Sequence, residues 1–139
     1  MISSVLVPMD GSEMAERALR YALEVHRDAA ITVLHVVGEP SSMMGRATGI
    51  ALADDPQAAA QEAASDLFDR AREIAAESDR EIETVVRVGH PARAVLNMTD
   101  DFDAVVVGSH GGSLADRLLV GNVAEKIVRR SAAPVTVVR

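Results

Sequence analysis

Gly108-Ser-His-Gly111, followed after nine residues by Gly121-Asn122, has the residue types and spacing to hold a small anion. Three consecutive valines, Val105 to Val107, run straight into it, and such a β-branched run reads as a buried strand ending at Gly108. Glycine lets backbone take a positive φ or lie close against a ligand. Beyond Gly121, Asn122-Val-Ala-Glu125 has the form of a capping box, with Asn as N-cap and Glu three residues on. A glycine turn at a strand end, facing a helix N-terminus whose first N–H groups lack partners, is a site for a phosphate-sized anion. The same residues also fit a plainer description as turn, cap and turn, and glycines alone do not separate the two.

Other chemistries find little support. There is no Gly-x-Ser-x-Gly elbow, since Ser109 directly follows Gly108. His110-Gly-Gly112 has the form of an esterase oxyanion loop, but no nucleophile elbow accompanies it. Gly-x4-Gly-Lys-[Ser/Thr] is missing, and the first turn lacks Gly-x-Gly-x-x-Gly, which disfavours P-loop and dinucleotide chemistry. The four histidines have no His-x3-His spacing for zinc, and the lack of cysteine excludes disulfides and thiolate chemistry. A formal net charge of −7 argues against nucleic acid or an anionic membrane as partner. With no Trp, one Tyr and two Phe, there is no platform for stacking bases of a single strand. The 139 residues suit a single domain, residues 1–139. No apolar run reaches membrane-spanning length and the first residues do not resemble a signal peptide, so the expected location is cytoplasmic.

The elements that must position the glycines follow from hydrophobic period. Val5–Pro8 reads as a strand, Met9–Ser12 as a turn, and Ser12 as the cap of a helix over 13–27 with Ala15, Ala18, Leu19, Ala22 and Leu23 inward. Ile31–Val37 is the second strand, and residues 38–54 form a loop expected to be mobile without ligand. Asp55-Pro56 opens a helix ending near Ser78, with Ala60, Ala64, Leu67, Ala71, Ile74 and Ala75 as its buried stripe. Glu83–Val88 is a third strand, and His90 caps a short helix that turns Val95 and Met98 inward. The strand 103–108 follows, then a short helix over 114–119, a helix over 123–131 with Val123, Ile127 and Val128 inward, and the strand Val135–Val138. This β-α alternation calls for a parallel sheet with helices on both faces and right-handed crossovers. Ligands of such sheets bind beyond the carboxyl ends of the strands, where strand order reverses. Asp10 and Gly108 share that crevice if the first and fourth strands are neighbours.

Val5-Leu-Val-Pro-Met-Asp-Gly-Ser12, Leu34-His-Val36, Gly89-His-Pro91, Gly108-Ser-His-Gly111 with Gly121-Asn122, and Pro134-Val-Thr-Val-Val138 together resemble the universal stress protein family. The match keeps the family's order and spacing over essentially the whole chain. It implies an α/β fold: an open, parallel, five-stranded sheet of order 3-2-1-4-5 with helices on both faces, Rossmann-like and adenine nucleotide alpha hydrolase-like. It also implies a homodimer, for which the short apolar edge strand 134–138 is the expected interface.

One branch of the family binds ATP through Gly-x2-Gly-x9-Gly-[Ser/Thr]; the other lacks that signature and does not. Carried over by position, Asp10 meets the ribose, whose hydroxyl protons a carboxylate accepts. The Val36 backbone meets adenine, with Pro8 lining the pocket. Gly108 lies near the ribose and α-phosphate, Ser109 and His110 continue its turn, and Gly111, Gly121, Asn122 and Val123 hold the phosphates. This sequence departs from the signature at Asn122, where the family has Ser or Thr. The expected cofactor is ATP, with ADP or AMP as alternatives and Mg2+ arriving on the nucleotide. Three functions stand: an adenine-nucleotide-binding stress or signalling module, a dimeric regulatory or structural module of the same family that does not use ATP, and a slow ATPase or phosphotransferase. The third needs a base or nucleophile, and no residue presents itself as one.

Overall fold

In the computed structural model the described residues are 1–38, 55–109 and 122–139. The expected loop mobility and the helix over 114–119 fall outside them. Chain order is β1 (Ser4–Pro8), α1 (Glu13–Val25), β2 (Ala30–Val37), α2 (Pro56–Glu77), β3 (Glu83–Val88), α3 (Pro91–Leu96), a 3-10 turn (Thr99–Asp101), β4 (Ala104–Gly108), α4 (Asn122–Arg130) and β5 (Val135–Val138). The five strands form one sheet in the order β3-β2-β1-β4-β5, all pairs parallel, as the sequence reading expects.

Strands covered on both faces read as near-continuous apolar runs, and successive side chains divide between two cores. Val5, Val7, Ile31, Val33, Val86 and Val106 pack with α1 and α2 on one face. Leu6, Leu34, Val105 and Val107 pack with α3 and α4 on the other. Ser12 and Asp55 cap α1 and α2 as expected, accepting from the N–H of Ala15 and Ala58 at 3.1 Å each.

The helices differ from the sequence reading in several details. α1 ends at Val25 rather than residue 27, because Arg80 reaches back from the end of α2 and takes its last carbonyls. Its Nη1 donates to Leu23 O at 2.9 Å and His26 O at 3.2 Å, and its Nη2 donates to Ala29 O. On α2 it is Phe68 that is buried, with Leu67 only half-buried, since Ala64, Phe68, Ala71 and Ala75 keep the i+3/i+4 spacing. His90 occupies the N-cap position of α3 but makes no side-chain cap bond. On α4 the buried residues are Ala124 and Ile127, while Val123 and Val128 are 37 % and 49 % exposed. At 100° per residue the two valines flank the Ala124–Ile127 stripe, each roughly 70° from its centre. The small alanine at 124 is what faces the sheet.

The β1–β4 seam, where strand order reverses, is tied at its start by one carboxylate. Asp103 Oδ2 accepts from Ser3 N at 2.8 Å, Ser3 Oγ at 2.8 Å and Ser4 N at 3.2 Å, and the Asp103 N–H donates to Ser4 O at 3.0 Å. The Ser3 backbone bond, then its hydroxyl, hold the Asp103 carboxyl below its ordinary value. A depressed folded-state value contributes stability that is present above the unfolded value and lost as pH falls through the folded one. Asp103→Asn is therefore expected to be less stable than wild type in urea titrations at pH 7, with the gap closing in acid below about pH 4. A gap independent of pH contradicts this assignment.

Candidate functional site

Backbone alternation decides where β1 lets go of its neighbours. Ser3 O accepts from Ala30 N and Met9 N–H donates to Leu34 O at 2.8 Å, so odd-numbered residues of β1 face β2. Ser4 O accepts from Asp103 N, so even-numbered residues face β4. Pro8 is one of these, and it has no N–H to give. The β1–β4 pairing accordingly ends at Leu6↔Val105. On the other side the β1–β2 pairing ends at Pro8↔Leu34. There the Met9 carbonyl bonds to the His35 ring, Nδ1 to O at 2.8 Å. Both ladders of β1 thus end at its carboxyl end, while Met9 stays bonded to β2.

Counting on in these registers, Met9 is level with His35 and Gly108, and Asp10 is level with Val36 and Ser109. Pro8, Asp10, Val36, Gly108 and Ser109 therefore gather at the carboxyl ends of three adjacent strands, as the sequence reading requires. Val36 packs toward the α3/α4 face. α4 runs from the end of β4 back to the start of β5, so its N-terminus, with Asn122 and Val123, lies at this same edge. His110, Gly111 and Gly121 lie outside the described residues. Asn122 is the first residue of the helix instead of its cap, and the helix ends at Arg130 instead of residue 131. Beyond it Ser131 folds its hydroxyl onto Ala133, donating to the Ala133 carbonyl at 2.7 Å on the approach to Pro134.

The polar groups are few. Asp10 is exposed, and its Oδ1 accepts from Ser12 N at 3.0 Å, closing a turn through Gly11 at φ +83°. Its Oδ2 takes no hydrogen bond among the described residues and is open to an outside donor. Ser109 is buried at 4 % and donates its N–H to Val138 O at 2.8 Å. Among the described residues no group of three or more His, Asp or Glu side chains could hold a metal ion, and no helix is long and apolar enough to cross a membrane. His35 is not among the site residues that the sequence singles out. The signal was there: a polar ring inside the apolar run Val33-Leu-His-Val-Val37.

An open parallel sheet with helices on both faces, and polar residues gathered where strand order reverses, is a doubly wound α/β protein of the Rossmann-like kind. The chain belongs to the universal stress protein family, whose sequence profile matches residues 1–139. Universal stress protein YxiE of Bacillus subtilis is 30% identical over 148 residues, covering 100% of both chains. Universal stress protein MJ0577 of Methanocaldococcus jannaschii is 27% identical over 155 residues, covering 100% of this chain and 96% of its own. The solved structure of MJ0577 superposes with a TM-score of 0.77 at 25% identity, covering 99% of this chain and 96% of that one. A universal stress protein solved in complex with cAMP superposes with a TM-score of 0.70 at 28% identity, covering 99% of this chain and 97% of that one.

Gly108 has a structural reason of its own. A Cβ placed there would lie 2.8 Å from Met14 Cγ, 3.0 Å from Met14 O and 3.1 Å from Met14 C. The first turn of α1 sits directly on the end of β4, and backbone atoms cannot yield as a side-chain tip can. Gly108→Ala is expected to destabilise the ligand-free protein by about 1–3 kcal/mol, the usual cost of overpacking. Chemical denaturation checks this, and an unchanged midpoint would mean that α1 does not pack so closely.

Proposed function

We propose that the chain is an adenine-nucleotide-binding stress or signalling module that works as a homodimer in the cytoplasm. The observation that carries the reading is the level placement of Val36, Asp10 and Ser109 at the reversal of strand order, on the edge where α4 begins. The relative solved with cAMP supports adenine nucleotide as the ligand class. In this reading Asp10 Oδ2 accepts from the ribose hydroxyls, and the Val36 backbone meets the base beside Pro8. Gly108, Ser109 and His110 lie along the ribose and α-phosphate. Gly111, Gly121, Asn122 and Val123 hold the outer phosphates of ATP, ADP or AMP. A helix N-terminus suits an anion, and Mg2+ would arrive on the phosphates.

A second reading, a family member that does not use ATP, draws on two observations. Gly108 is already required by Met14, and Asn122 stands where the ATP-binding signature has Ser or Thr. Calorimetric titration of AMP and ATP into wild type, Asp10→Ala and Asn122→Ser separates the two. Under the nucleotide reading wild type binds both. Asp10→Ala loses about tenfold or more for both, since a hydrogen bond to a charged group contributes about 1.5–3 kcal/mol. Asn122→Ser tightens ATP more than AMP, because a compact hydroxyl meets the outer phosphates better than the larger amide. No binding at millimolar concentration leaves the second reading.

The dimer rests on the two sheet edges. At β3, Gln57 Nε2 and Arg87 Nη1 both donate to Val86 O at 3.1 Å, blunting that edge. At β5, Pro134 O and Val138 O accept from Val105 N and Ser109 N, so alternation turns the backbone groups of Val135 and Val137 outward. Among the described residues no side chain hydrogen-bonds to β5, and its residues are only half-buried. Antiparallel pairing with a second copy would cover it. Light scattering at micromolar concentration is expected to give twice the chain mass of 14.7 kDa. Val137→Pro, which removes an outward N–H, should give the single-chain mass. A wild-type monomer would end the dimer proposal.

A further inference from the structure

His35 lies in the interior of the sheet, yet its ring is used at the edge of the crevice. Its Nδ1 stands 2.8 Å from Met9 O. A carbonyl only accepts, so it is Nδ1 that carries a proton to it. The bond displaces another. Ser3 and Met9 fix which residues of β1 face β2, and Leu34 O, the acceptor from Met9, fixes that Leu34 and Val36 face β1. Gly89 N–H donates to Val37 O at 2.8 Å, so Val37 and His35 face β3. In an unbroken parallel ladder the next rung would run from Val36 N–H to Met9 O. That rung does not occur among the described residues, where Met9 O is held by the ring one residue earlier in β2.

Met9 is consequently fixed to β2 through its own N–H and O, with its side chain buried at 5 %. Asp10 follows at once and turns away through its bond with Ser12 N. The backbone N–H and C=O of Val36 point to the β1 side of β2, beyond the last rung of that ladder. A neighbouring donor and acceptor on one strand match a base edge offering an amino donor beside a ring-nitrogen acceptor, the pattern of adenine. A buried or half-buried backbone pair normally finds partners, and a bound base would supply them.

We infer that His35 is a positioning residue: its ring stops the β1–β2 ladder one rung early, leaving the Val36 amide and carbonyl to the edge of a bound base. The inference rests on the adenine-nucleotide reading for the identity of the base, and on the hydrogen-bond pattern alone for the stopped ladder. Replacing the ring by an apolar side chain frees Met9 O, and the donor that the ladder register sets against it is the Val36 N–H. The ladder then closes by one rung over the base-recognising edge. Asn carries an amide donor near the place of Nδ1 and keeps Met9 O occupied.

The test compares wild type, His35→Leu and His35→Asn. In the ligand-free proteins, amide hydrogen exchange at Val36 is expected to be fast in wild type and in His35→Asn. It should be slowed at least tenfold in His35→Leu, so that loss of a hydrogen-bonding side chain adds protection at a backbone amide. Titration then separates base from sugar-phosphate. AMP affinity is expected to fall about tenfold in His35→Leu, the upper range for a lost neutral hydrogen bond, and to return in His35→Asn. Ribose 5-phosphate should bind all three alike. Should wild type bind no AMP while Val36 exchanges as described, the adenine reading falls and the stopped ladder stands. Equal Val36 exchange in wild type and His35→Leu overturns the inference whatever AMP does. So does an AMP loss that His35→Asn fails to restore. Should His35→Leu not fold, the wild-type chain decides alone. Imidazole nitrogen shifts must place a proton on Nδ1 and Val36 must exchange fast; a bare Nδ1 or a protected Val36 overturns the inference.

Discussion

The pairing of β1 with β4 is the constraint on which the rest of the structure depends. Right-handed crossovers carry the chain from β1 through α1 to β2 on one side. Starting again at β4, they carry it through α4 to β5 on the other. The two helix layers therefore leave β1 and β4 toward opposite faces, the place where ligands of such sheets enter. Three local features hold and shape that seam. Asp103 ties its start to Ser3 and Ser4. Leu6↔Val105 is its last rung, because Pro8 has no N–H to continue it. Gly108 admits the first turn of α1 against its end. Tied at one end and interrupted at the other, the seam is rigid where it enters the sheet and open where polar residues collect.

What the sequence disclosed followed the range of the interactions that decide each feature. The inner strands were plain, because residues covered on both faces read as near-continuous apolar runs. Capping by Ser12 and Asp55 was plain too, since a cap and its N–H lie three residues apart. The end of α1 was not, because Arg80 closes it from far along the chain. The inward face of α4 was misjudged for a different reason. In a nine-residue helix Val123, Ala124, Ile127 and Val128 allow more than one stripe, and hydrophobicity favours the valines where close approach to the sheet favours alanine. Of the site, Asp10, Val36 and Gly108 could be brought together from strand-end position and the resemblance. The His35–Met9 bond could not, since nothing local pairs a mid-strand ring with a carbonyl twenty-six residues earlier.

Glycine motifs at strand ends are therefore ambiguous for a physical reason. Gly108 is excluded from carrying a Cβ by the backbone of Met14, with an ordinary φ and no ligand needed to explain it. A nucleotide lying along the same turn would impose the same requirement from the other side. Packing and binding constrain the same atom, so its presence supports both and distinguishes neither. Gly11 at φ +83° likewise serves the turn that caps α1 before it serves any ribose.

Residues whose side chains the fold does not consume are better witnesses. Asp10 spends one carboxylate oxygen on Ser12 and keeps the second outside the internal hydrogen bonding of the described residues. An asparagine would close the same turn through one side-chain oxygen, so the charge and the second oxygen are in excess of what the turn needs. Val36 makes the same point with backbone. A strand that faces a neighbour normally pairs along its whole length, since each open donor and acceptor costs desolvation when half-buried. Here β1 is detached on one side by a residue that cannot donate and on the other by a ring that takes the carbonyl first. Either interruption alone would leave a frayed strand end. Both together, at the one place where the helix layers diverge, set the second oxygen of Asp10 and the amide and carbonyl of Val36, without partners among the described residues, on the edge where α4 begins. That placement, more than the glycines beside it, carries the functional argument.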